Sequence, residues 1–249
     1  MEDSAYLGEL LAGVFYSVVG CRLLLLAART REKPERVLGL TFLLMGVSFL
    51  LYQIPLVFQA EGLETPSYFS ARVAYCVSSV TLALFTRVVF RPTEAWAAAL
   101  VLGIPVSLVI GVGFSALGGD WEGFSISNHW FWFEWVANTL PFGWIGVEAS
   151  IQYRSGRRRM RVGLLEPLVC NRFLLWMIVG LLQLSAFLIS LVQYAEYEAT
   201  GAWSTWADAT LGTLEIVTIG VIWLVFFPPA FYSRWIGDAA STEEPATGG

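Results

Sequence analysis

The chain has 249 residues, of which 56% are hydrophobic and only 14% charged; soluble proteins run near about 45–50% and 25%. Mean hydropathy is +0.63. Such a composition excludes an ordinary soluble domain and points to a membrane protein. The formal charge of −5 gives no reason to expect a nucleic-acid partner.

Crossing a hydrocarbon core of about 30 Å takes about 20 helical residues at 1.5 Å each. The pattern predicts seven such helices, an all-α integral membrane bundle, at 6–28, 37–60, 68–90, 95–119, 128–152, 173–195 and 205–231. The first sets Glu9, Gly13, Tyr16 and Gly20 along one face. The second is uncharged, and the third carries Arg72 near its start. The fourth is again uncharged. In the fifth, Glu134, Asn138, Pro141, Glu148 and Gln152 are spaced 4, 3, 7 and 4 apart, which places them on one helical face. The sixth offers Gln183, Ala186, Ser190 and Gln193, and the seventh Asp208, Gly212, Glu215 and Thr218. Ionisable groups thus fall in the odd-numbered helices, while the even ones read as plainer wall. A single domain over 1–237 is expected, followed by a small, polar, disordered tail at 238–249.

The charges orient the bundle. Arg22, Arg29, Arg31, Lys33, Arg36, Arg87, Arg91, the six arginines between 154 and 172, and Arg234 place 14 of 15 basic residues on one side. The opposite loops carry Glu61, Glu64, Asp120, Glu122, Glu196 and Glu198. The positive-inside rule then puts the N-terminus outside and the C-terminus in the cytoplasm. The acidic start, Met1-Glu2-Asp3-Ser4, is unlike a cleavable signal, so the first apolar stretch is expected to be retained. A bacterial plasma (inner) membrane fits best, the lipid bilayer being the first partner. Trp130, Trp132, Trp135, Trp203, Trp206 and Trp235 cluster at helix ends, either as a headgroup belt or as the lining of an outer pocket. In the cytoplasmic loop at 153–172, Arg157, Arg158, Arg159 and Arg161 form either a topology signal or a dock for anionic lipid headgroups or an acidic cytoplasmic protein.

Much chemistry is excluded. One histidine, His129, cannot build a His-based zinc or di-iron site, and Cys21, Cys76 and Cys170 have no metal-site spacing. They read as apolar fillers. No metal, cofactor or enzymatic activity is expected. The intramembrane polar groups are the functional candidates, because an ion at membrane depth costs about 2.5–3.5 kcal/mol. Glu215 and Gln183 each lie about ten residues into their helices, roughly 15 Å, so a polar contact between them near the midplane is expected. Glu9, Glu134 and Asp208 share the outer third with Arg72, and Asn138 is a further candidate for the same outer-half cavity. One guanidinium cannot neutralise three carboxylates: some acids carry a proton, or water or a cation enters, or Glu9 and Asp208 sit in the headgroups. Glu215 is either functional or a protonated group joining helices.

Two local patterns resemble known families. Asp208-Ala-Thr-Leu-Gly212 is similar to the microbial rhodopsin pattern of an aspartate four residues before the retinal lysine, and Arg72 looks like the arginine that pairs with that aspartate. Gly212 stands where that lysine would be and Lys33 is the sole lysine, so covalent retinal is excluded. Pro229-Ala230-Phe231-Tyr232 resembles the receptor P-x-x-Y, with Pro228 in place of its asparagine; two prolines ending a helix explain it equally. The sequence reading is a sensor or receptor-like protein with a small ligand or protons in an outer-half polar cavity, signalling to a cytoplasmic partner. The alternative is a transporter or channel for a proton, cation or small solute.

Overall fold

The computed structural model describes residues 2–58, 62–121 and 125–242. They form eight α-helices and no strand: α1 (Glu2–Thr30), α2 (Lys33–Phe58), α3 (Glu64–Phe90), α4 (Ala95–Leu117), α5 (His129–Arg161), α6 (Pro167–Thr200), α7 (Thr205–Phe226) and α8 (Ala230–Thr242). Local chemistry sets the boundaries. Asn128 caps α5 by accepting from the Trp130 amide at 3.1 Å, leaving one fewer orphan N–H at that end. Pro167 opens α6, where its missing N–H costs nothing, and Gly201 closes it at φ 70°.

Three boundaries differ from the sequence expectation. The seventh helix stops at Phe226 rather than continuing to 231, because Pro228 and Pro229 disfavour helix in the preceding residue and lack N–H donors. A separate helix, α8, follows and runs to Thr242, into the stretch expected as a disordered tail; 243–249 lie outside the described residues. The stretch at 153–172 is largely helical: α5 extends through Arg161 and α6 begins at Pro167. Arginine is a good helix former, and cations favour a helix C-terminus. The long basic loop is therefore a basic helix end.

Six helices are long and apolar enough to cross a membrane: Gly8–Thr30 of α1, Lys33–Pro55 of α2, and α3, α4, α6 and α7. The fifth helix is not among them, since it interleaves Glu134, Asn138, Glu148 and Gln152 with its apolar residues and ends in arginines. Leu102, Val106 and Val109 of α4 are 69%, 60% and 72% exposed, a continuous apolar stripe that water would penalise and lipid would not. The chain is an all-α, multi-pass membrane protein.

Helix contacts run α1–α2, α2–α3, α3–α5, α5–α6, α6–α7 and back from α7 to α1. Six helices thus close a ring, and α4 packs outside it against α3 and α5. Position outside the ring fits the absence of any charged residue from α4. Inside, Tyr16, Val19, Phe42, Met45, Leu82, Phe142, Ile145 and Ile222 form the main core. Two seams depend on glycine: a Cβ on Gly180 would come within 2.6 Å of the Gly146 Cα, and one on Gly20 within 2.8 Å of the Leu43 Cα. Small residues let membrane helices pack backbone to backbone. Docking of α8 uses Asn171 Nδ2, which donates to the Tyr232 hydroxyl at 2.7 Å.

Gly180→Val should lower the thermal unfolding midpoint in detergent, at a cost of about 1–3 kcal/mol. Gly103→Val, where a Cβ meets nothing within 4 Å, should leave it unchanged; equal effects would contradict the seam.

Candidate functional site

The polar side chains gather in the half of the bundle where α1 begins. Its centre is Arg72 of α3, which is 4% exposed. The guanidinium Nε donates to both oxygens of Glu134 at 3.0 Å each, and Nη2 reaches Oε2 as well. Nη1 donates to the backbone carbonyls of Asp120 and Trp121 at 2.9 and 3.0 Å. One side chain thereby ties α3 to α5 and to the turn after α4. The sequence left open which acid Arg72 would take, and the geometry selects Glu134. Asp208, its partner by resemblance to microbial rhodopsins, is instead bound by Gln193 of α6.

Glutamines from α2 and α6 meet the remaining acids. Gln53 Nε2 donates to Glu9 Oε2 at 2.6 Å. Tyr16, buried in the core, donates its hydroxyl to Glu215, and the Gln183 amide lies close to the same carboxyl. The expected contact between Gln183 and Glu215 therefore forms. Glu9 lies near enough to Asp208 and Glu215 for their charges to interact. The even helices are thus not plain wall: α2 and α6 supply amides because an amide can hydrogen-bond a carboxyl at membrane depth without adding a charge.

Beside the Arg72–Glu134 pair, residues of α2, α3, α5 and α6 line a cavity of about 100 Å³. Its wall is aromatic, with Tyr52, Tyr75, Phe131, Trp135, Phe187 and Tyr194, interrupted by Arg72, Glu134, Asn138 and Ser190. Asn138 Oδ1 and Trp135 Nε1 are buried with no hydrogen-bond partner among the described residues. The tyrosines and Cys76 had no place in the sequence reading of the site. A signal existed: Phe131, Trp135 and Asn138 are spaced 4 and 3, and Phe187, Ser190 and Tyr194 are spaced 3 and 4. Each set occupies one helix face.

Toward the opposite end the polar groups give way to packed rings. Phe42 stacks between Tyr16 and Trp176 and meets Phe226 edge-on, and Phe85 packs on Trp176. The gap left below Tyr16 is about 20 Å³, room for one water at most. Beyond this plug a second ion pair joins α3 to α5: Arg91 Nε donates to Glu148 Oε1 at 2.8 Å, and Trp144 Nε1 to the same oxygen at 3.2 Å. Arg158, Arg159 and Arg161 are exposed on the last turns of α5, while Arg157 is half-buried beside Cys170. They share no site with the cavity; only the length of α5 connects them.

No family model, curated protein or solved structure matches this chain. The site must therefore be read from its own geometry.

Arg72→Met should destabilise the protein by about 3–5 kcal/mol, because it strands the Glu134 carboxylate. Adding Glu134→Leu should restore most of the loss in thermal unfolding of the double variant. Strict additivity would show that the pair is not coupled.

Proposed function

We propose that the protein is a seven-helix membrane sensor, receptor-like in layout, which binds a small ligand in the cavity beside Arg72 and reports to a cytoplasmic partner. In this reading α5 is the seventh span, the N-terminus is outside and the C-terminus cytoplasmic. Every basic residue but Arg72 lies at or near the end opposite the cavity, which supports that orientation and a bacterial plasma membrane as its setting. The observation that carries the proposal is the aromatic-lined cavity with two unsatisfied buried polar atoms on its lining residues. Such a pocket with convergent polar groups is the form that small-molecule sites take.

Transmission inward has a structural basis. The fifth helix runs unbroken from Glu134 at the cavity to Arg161, about 40 Å at 1.5 Å per residue. A ligand that displaces Glu134 would act on a helix whose far end presents Arg158, Arg159 and Arg161 to an acidic protein or anionic headgroups. Transport is the second reading, and one feature favours it: Glu9, Asp208 and Glu215 are held by amides and a phenol, with no ion pair to any of them among the described residues. Against it stands the ring plug of Phe42, Trp176 and Phe226, which ends the polar path.

Reconstituted protein should pass neither protons nor small cations above the empty-vesicle background from mildly acid to neutral pH. A flux that Glu215→Gln removes would establish transport in place of sensing. For topology, an impermeant thiol reagent on intact cells should label a cysteine placed at Ser127, and one placed at Arg159 only after permeabilisation. The reverse pattern would overturn the orientation.

A further inference from the structure

Behind the cavity wall, Cys76 links two of its lining residues in a short hydrogen-bond relay whose direction is chemically determined. Glu134, already engaged by Arg72, accepts from the Cys76 thiol through Oε1 at 3.8 Å. With its proton directed there, the Cys76 sulfur acts toward Asn138 as an acceptor, and Asn138 Nδ2 donates to it at 3.8 Å. The amide is thereby oriented, and its other end, Oδ1, is the acceptor left unmet. Asn138 is 6% exposed, so bulk water does not supply the missing donor. Three residues earlier on α5, Trp135 lines the same cavity with Nε1 buried and likewise unmet. Ser190 adds no demand, because its hydroxyl donates to the Phe187 carbonyl at 2.9 Å, while Tyr52 and Tyr75 on the same lining bring hydroxyls that can serve as either donor or acceptor.

Charge and volume narrow the occupant. Arg72 and Glu134 neutralise each other, so an ion would enter with no counter-charge and carry its full desolvation cost. A cavity of about 150 Å³ takes benzene. At about 100 Å³ this one suits roughly four or five non-hydrogen atoms, and ring walls favour a flat shape.

Resting on the sensor reading above, we infer that the cavity binds a small, flat, uncharged molecule with one hydrogen-bond donor, for Asn138 Oδ1, and one acceptor, for Trp135 Nε1. Azoles and small amides have this chemistry.

The test follows the Trp135 indole N–H resonance of the full chain in lipid nanodiscs, assigned by its loss in Trp135→Phe. Three probes with five non-hydrogen atoms each are titrated: pyrazole, with a donor and an acceptor; furan, a similar ring without a donor; and tetramethylammonium, a cation. Pyrazole should shift the resonance saturably, and furan and tetramethylammonium should bind at least about tenfold more weakly. Asn138→Leu should weaken pyrazole by about tenfold yet leave furan binding intact, which shows that the cavity survives; Ser190→Ala should change neither. If Asn138→Leu fails to fold, Asn138→Ala gives the same readout. The inference is overturned if furan matches pyrazole, if tetramethylammonium binds best, if the Asn138 variants leave pyrazole unaffected, or if no probe shifts the resonance. Each of those results leaves the sensor reading standing, because proton or cation flux decides that reading independently.

Discussion

A carboxylate taken out of water must find a partner, and that requirement organises the cavity half of the bundle. Glu134 meets it with the Arg72 guanidinium, in a fork that engages both carboxylate oxygens. The other acids are met by groups that carry no charge: Gln53 on Glu9, Gln193 on Asp208, and Tyr16 with Gln183 on Glu215. These contacts fall on seams of the ring. Gln53–Glu9 joins α2 to α1, Gln193–Asp208 joins α6 to α7, and Tyr16–Glu215 joins α1 to α7. Arg72–Glu134 joins α3 to α5. Removing either member of the buried Arg72–Glu134 pair would do more than lose a hydrogen bond, since the survivor would be stranded without water.

The two halves of the ring are held differently. Near the start of α1 the seams are polar and the centre is open. Toward the end of α7 they are aromatic and the centre is filled. That division bears on mechanism, because a transported solute or proton needs polar groups along the whole path, whereas a sensed molecule needs them only where it binds. The Arg91–Glu148 pair lies beyond the plug, but Arg91 is one-third exposed, so it belongs to the rim of the bundle rather than to a continuous route through it.

The positions and order of the long helices were legible in the sequence because each depends on local spacing: apolar runs of about 20 residues, and acids, amides and glycines recurring every three or four positions; their number was not, since eight helices form where seven were expected. Partners were less so. The stripe on α5 named Glu134 and Asn138, yet choosing Glu134 over Asp208 or Glu9 for Arg72 requires knowing that α3 packs on α5 and that α4 lies outside the ring. Cys76 looked like filler, and becomes a link in a relay only because α3 sets it between Glu134 and Asn138. The arginines from 154 to 161 read as a loop because charge was taken to mark the end of a span; in the fold the apolar run ends but the helix continues. Tyr52, Tyr75 and Tyr194 sit among so many aromatic residues that nothing in the one-dimensional pattern separates a cavity lining from a headgroup belt.

The position of the cavity follows from the sizes of side chains along one seam. At Gly146 and Gly180 the fifth and sixth helices touch backbone to backbone, with no room for a Cβ on Gly180. One turn nearer the start of α5, at Gly143, a Cβ would meet only Leu184 at 3.6 Å, so the helices have already begun to part. Beyond that, Phe131 and Trp135 on α5 face Phe187 and Tyr194 on α6. Four rings on one seam hold the helices apart more widely than glycines would, and the charged pair at their edge cannot move inward to fill the gap without breaking its contacts to Asp120 and Trp121. The space is therefore a product of the packing: a glycine contact closes the seam below, bulky rings wedge it above, and a saturated ion pair fixes the third wall. The same geometry makes the Gly146–Gly180 contact the natural fulcrum between the cavity end of α5 and its arginine-bearing end, since the two helices approach there as closely as their backbones allow.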